Sequence, residues 1–248
     1  MQTTRISAEV NEVLENIYIN TKPVSIFVYG SRARADFKPD SDYEVGALYH
    51  KDSKPRRSEL AKMHSIEGLN IYPFVYEEIE EYNLDTPFPK AIYMKELIGA
   101  AKTVFGEEVL EKMEHPEIKL SDLIERAAFD IATGFAAYRS YGTKDLVNVS
   151  INFKSVLFGT RVLEIYELKE FAYTYDEIVK LSDKLSLEDE YRQLINHAAE
   201  VRKGKPIIEN FLFTNISFLN QKIANKIRAD FCENGDRVIL PGRKINWM

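Results

Sequence analysis

Only one cysteine, Cys232, occurs in the 248 residues, so no internal disulfide can form and a structural zinc site lacks its companions. Basic charge is also in short supply. The formal net charge is −6 and the sequence pI is about 5.4, which argues against the broad cationic surface that sequence-independent nucleic-acid binding requires. No apolar run approaches the roughly 20 residues that span a bilayer. The opening stretch "MQTTRISAEVNEVLENIYI" is polar and acidic where a secretory leader carries a basic flank and an apolar core. Internal repeats and low-complexity tracts are missing too. These absences predict a globular protein of a reducing cytoplasm, with no membrane and no broad nucleic-acid partner.

What is present is enough to build a core: 45% of the residues are hydrophobic. Ser7 to Ile17 carries apolar residues at helical spacing and predicts an amphipathic helix closed off by Pro23. "VSIFVY", Val24 to Tyr29, is a short β-branched and aromatic run ended by Gly30, and predicts a buried strand. A loop or short helix over Ser31 to Ser41 leads to a second strand, "DYEVGALY". A third, "LNIYPFVY" from Leu69 to Tyr76, contains Pro73, which predicts an edge position or a bulge. From Lys90 to Met113 the pattern predicts helix with an interruption at Gly106. Beyond Leu120 nearly everything is helical: Asp122 to Ser140, Leu146 to Leu168, Tyr175 to Lys184, Leu187 to Lys203 and Ile207 to Phe231. The predicted organisation is an α/β domain over 1–115 and a helical bundle over 116–248, the latter ending in the short extended tail "RVILPGRKINWM".

The chemistry concentrates in "VYGSRARADFKPDSDYEVGALY", Val28 to Tyr49. Side chains of a strand alternate faces, so Asp42 and Glu44 point the same way, about 7 Å apart at the Cα level. Two carboxylates on one spot call for a cation, and a hard divalent ion such as Mg²⁺ takes carboxylate oxygen together with substrate phosphate. Upstream, a strand that delivers Gly30-Ser31 at its carboxyl end offers backbone N–H groups and a hydroxyl to an anionic phosphate chain. Anion cradle and metal ligands together point to a nucleoside triphosphate.

Gly30-Ser31, a spacer, and then "DSDYEV" resemble the signature of the DNA polymerase β-like nucleotidyltransferases. With an all-helical second domain, the chain is most similar to the aminoglycoside nucleotidyltransferases of the kanamycin type. The resemblance implies an α+β fold: a small mixed-sheet nucleotidyltransferase domain followed by an all-helical bundle domain. It implies two-metal chemistry in which an acceptor hydroxyl attacks the α-phosphate of an NTP, with ATP as the expected nucleotide, and pyrophosphate leaves. Asp42 and Glu44 would hold Mg²⁺, Ser31 and the Gly30 backbone the β- and γ-phosphates, and Arg32 or Arg34 would add a charged contact. The hydroxyl-bearing acceptor would be a small molecule, aminoglycoside-like if the similarity extends that far, or a protein; related two-domain enzymes often form a homodimer, and the sequence leaves that open here.

Two departures from the pattern stand out. The family places a third carboxylate on the later strand, where this chain has Asn70, an amide that carries no charge and takes no proton. Glu67 would replace it only through a register shift, and an odd offset turns it to the other face. The kanamycin-type enzymes also draw a general base from the helical domain, and the acid in the matching region, "AAFDIATGFAAYRS", is Asp130. Loss of the third carboxylate opens an alternative, a catalytically impaired nucleotide-binding or antitoxin-like module. Another alternative rests on "RQLINH": Arg192 and His197 have a spacing similar to that of HEPN-type ribonucleases, although positions five apart on a helix diverge by more than a right angle.

Overall fold

The computed structural model describes residues 6–34, 36–37, 41–86, 88–145, 148–149 and 153–242. These fall into two compact units that part between Pro116 and Glu117.

The first unit is built on a four-stranded mixed sheet in the order β3-β2-β1-β4. Strand β1 (Ser25–Tyr29) is buried at every position and pairs antiparallel with β2 (Tyr43–Tyr49) and with β4 (Lys102–Gly106). Strand β3 (Leu69–Val75) joins β2 in parallel at the sheet edge, which is where its Pro73 is tolerated. Alternation along β1 divides the core in two. Ile26 and Val28 pack with Val10, Leu14 and Ile17 of helix α1 (Ala8–Thr21), whose start is capped by the Ser7 side chain accepting from the Val10 amide. Phe27 and Tyr29 face the other way, onto Ile79 of α4 (Tyr76–Glu80) and Met94, Leu97 and Ile98 of α5 (Lys90–Ala100). Two short helices complete the unit: α2 (Gly30–Ala33), directly after β1, and α3 (Arg57–Ala61), whose Leu60 is buried with the α1 face.

The segment from Lys90 to Met113 corrects the sequence reading. It is not one helix: α5 stops at Ala100, and "KTVFG" becomes β4. Thr103, Val104 and Phe105 suit a pleated surface, and the free edge of β1 supplies the partner, with Ser25 opposite Gly106 and Val28 opposite Lys102. Tertiary pairing overrides local helical spacing here.

The second unit is helical: α6 (Leu120–Gly142), α7 (Lys154–Leu168), α8 (Tyr175–Ser182), α9 (Asp189–Arg202) and α10 (Glu209–Asn234). Helix α7 is its centre, packed against the other four and buried on all sides from Ser155 to Leu157 and from Gly159 to Ile165. A capping box starts α8, with the Thr174 hydroxyl accepting from the Glu177 amide and the Glu177 carboxylate accepting from the Thr174 amide. A small ribbon of β5 (Ile118–Lys119) and β6 (Val238–Leu240) closes the unit, so part of the predicted extended tail is a paired strand. Residues 243–248 of that tail lie outside the described residues, as do 146–147 and 150–152 of the helix predicted from Leu146 to Leu168. The α+β class follows from the two units together.

Candidate active site

Register carries the site. Glu44 is opposite Tyr29 on one side and Asn70 on the other, so β1, β2 and β3 bring three polar positions to one end of the sheet, on the face that α5 covers. Asp42 stands immediately before β2 rather than within it, and the Asn70 amide still reaches it: Nδ2 donates to Asp42 Oδ2 at 3.4 Å. Asn70 is therefore hydrogen-bonded to the first of the two expected acids and stands opposite the second in register. No register shift brings Glu67 in; it sits in the exposed turn before β3.

Two glycines make room for the acids. Gly30 has φ +70°, and a Cβ built there would lie 1.8 Å from Glu44 Oε2, so the carboxylate rests where a side chain would be. Gly68, at φ +75°, similarly leaves 3.1 Å between its missing Cβ and Asp42 Oδ1. Gly30 and Ser31 open α2 at the carboxyl end of β1, which brings the proposed phosphate cradle beside Glu44.

The two arginines of the motif are both engaged by the protein. Arg32 donates from Nε to the Ser41 carbonyl at 2.9 Å and to the Asp42 carbonyl at 3.3 Å, and its guanidinium lies 3.8 Å from the Tyr43 ring centroid. It clamps the segment that delivers Asp42. Arg34 is buried in an ion cluster with Asp36, at 3.3 Å, and with Glu96 of α5. Asp40, which adjoins the motif, lies outside the described residues.

Three aromatic or cationic neighbours were not anticipated. Tyr29 and Tyr93 both feel the Glu44 carboxylate; burial above all, with that carboxylate adding to it, pushes both phenols well above their ordinary value. They stay protonated next to the acid. Arg57 of α3 lies over the Tyr72 ring, 4.1 Å from its centroid, and donates to Asn70 Oδ1 at 3.4 Å. Nothing local marks Tyr93 or Arg57, which reach the site from separate elements, and Tyr29, though next to Gly30, meets Glu44 only through strand pairing.

Among the described residues, no group of three or more His, Cys, Asp or Glu side chains is gathered to hold a metal ion. Asp42 and Glu44 offer the hard oxygen donors that suit a divalent cation sharing its shell with phosphate. Asn70 adds no negative charge to that set, and its oxygen faces the Arg57 guanidinium.

Asp130 belongs to the second unit, where it is 1% exposed and its two carboxylate oxygens accept from Arg126 Nε and a terminal Arg126 nitrogen, both at 3.0 Å. Burial pushes its carboxyl up while Arg126 opposes the shift. Arg192 and His197 also have structural employment. Arg192 donates to the Ser182 and Leu185 carbonyls at 3.1 and 2.6 Å, and His197, buried, accepts from the Ile208 amide at Nε2, 3.1 Å away. The ribonuclease reading gains no support from this placement.

The fold, a small mixed sheet followed by a helical unit, is shared with solved structures. One solved structure that shares it is spectinomycin adenyltransferase AAD(9) from Enterococcus faecialis, determined with ATP and spectinomycin; the likeness covers 90% of this chain and 100% of that one, with a TM-score of 0.56 and 14% identity. At that identity the likeness is one of fold. No protein-family model and no curated protein matches the chain. Among the described residues, no helix is long and apolar enough to cross a membrane.

Proposed function

We propose that the chain is a Mg²⁺-dependent nucleotidyltransferase that moves a nucleoside monophosphate from an NTP, ATP in the first instance, to a hydroxyl of a small acceptor. The observation that supports this reading is the Glu44 carboxylate lying against Gly30 while the Asn70 amide, opposite Glu44 in register, donates to Asp42, in a fold shared with an adenyltransferase. Gly30 and Ser31 take the β- and γ-phosphates. Held by Asp42 and Glu44, a divalent cation would offset the charge on the phosphates. The acceptor oxygen bonds to the α-phosphorus, the bond from that phosphorus to the bridging oxygen of the β-phosphate breaks, and pyrophosphate departs with the electron pair. Asp42, the more exposed of the two acids, is assigned the hydroxyl proton, since an amide at position 70 cannot accept it.

The test is pyrophosphate release from each of the four NTPs with Mg²⁺, in the presence of a panel of aminoglycosides and nucleosides. Asp42→Asn is expected to lower the rate by at least about a hundredfold while the far-ultraviolet circular dichroism is unchanged. NTP binding without release across the panel, or release that survives Asp42→Asn, overturns the proposal.

A further inference from the structure

The Asn70 amide is used at both ends. Its Nδ2 faces the Asp42 carboxylate and its Oδ1 faces the Arg57 guanidinium, each at 3.4 Å. Flipping the amide would set oxygen against carboxylate and NH₂ against guanidinium, so the charges on either side fix its direction. Arg57 is anchored independently of Asn70, over the ring of Tyr72, which lies two residues further along the same strand and on the same sheet face. A cation at the third-ligand position would therefore meet an uncharged amide oxygen with a guanidinium already beside it.

We infer that this site takes one divalent cation rather than the two that the resemblance implies, with Arg57, joined to Asp42 through Asn70, in the charge role of the second; the inference rests on the nucleotidyltransferase reading above. Charge balance supports it. Three carboxylates with two divalent cations leave one net positive charge at the phosphates, and so do two carboxylates with one divalent cation and one arginine. Replacing the third acid by an amide and placing an arginine beside it are then two halves of one change, since an uncharged position 70 without Arg57 would leave the phosphates short of positive charge.

The experiment counts bound Mn²⁺ per chain by electron paramagnetic resonance, with α,β-methylene-ATP saturating the full-length protein. The native protein is expected to bind one Mn²⁺, Arg57→Lys one, and the double variant Asn70→Asp with Arg57→Ala two. Two in the native protein, or one in a folded double variant, overturns the inference while leaving the transferase reading standing. No nucleotide-dependent Mn²⁺ in the native protein overturns both. Should the double variant fail to fold, the native count alone decides.

Discussion

Gly30 shows how tightly a single residue can be tied to the chemistry beside it. Its left-handed backbone costs an L-residue about 1–2 kcal/mol, and the space a methyl group would need is filled by Glu44 Oε2. The Glu44 side chain can swing aside, so the clash resolves by displacing the carboxylate rather than by unfolding the sheet. Gly30→Ala is therefore expected to lower the unfolding free energy by about 1–2 kcal/mol and to reduce pyrophosphate release by more than that loss explains. Urea denaturation measures the first and a turnover assay at a temperature where the variant is fully folded measures the second. A variant as active as the native protein would show that the position of the Glu44 carboxylate is unimportant.

At the scale of elements, the legible parts are those whose signal is local. β-Branched runs ended by Gly or by polar loops mark β1 and β2, and Gly30-Ser31 with Asp42 and Glu44 mark the site. Strand β4 escapes because five residues following a helix carry too little pattern of their own; the edge of β1 defines them. Arg57, Tyr29 and Tyr93 escape for a related reason, since each meets the acids only through packing between elements. Helix α6 presents the opposite case, a residue whose local promise changes on burial. Arg126 and Asp130 are one turn apart, doubly hydrogen-bonded and buried, and Arg126 also lies 4.6 Å from the Phe158 ring centroid on α7. The Asp130 backbone carbonyl further accepts from Asn220 of α10 at 3.2 Å. Asp130→Asn leaves a buried guanidinium unbalanced and is expected to cost about 3–5 kcal/mol of stability, with turnover per folded molecule unchanged. A normally stable variant that has lost turnover would return Asp130 to the role of general base.

Across the whole molecule, buried groups titrate in two opposing senses. In the first unit, burial and then Lys95 bring the His115 imidazole down from an ordinary 6.5 to about 4, and burial lowers His64 as well. The unfolded chain then holds more protons between those values, so this unit loses stability as the pH falls from 6.5 towards 4. In the second unit, Glu164 is fully buried in α7, neither of its carboxyl oxygens has a hydrogen-bond partner among the described residues, and burial, against the pull of Arg161, pushes it up from 4.5 to about 8. Here the folded state holds the extra proton, so stability is present at low pH and is lost as the pH rises through about 8. Asp130, also raised by burial, acts in the same sense, whereas His197, lowered by burial, opposes them only below its ordinary 6.5. Between pH 6.5 and 8 the Glu164 contribution is left without that opposition. Glu164→Gln fixes the side chain in an uncharged form, and whatever the amide costs is the same at every pH. The difference in melting temperature, variant minus native, is therefore expected to grow steadily from pH 5 to pH 8 in differential scanning calorimetry. A difference that stays constant across that range would mean that Glu164 ionises at its ordinary value and that water or a counter-charge reaches it in solution.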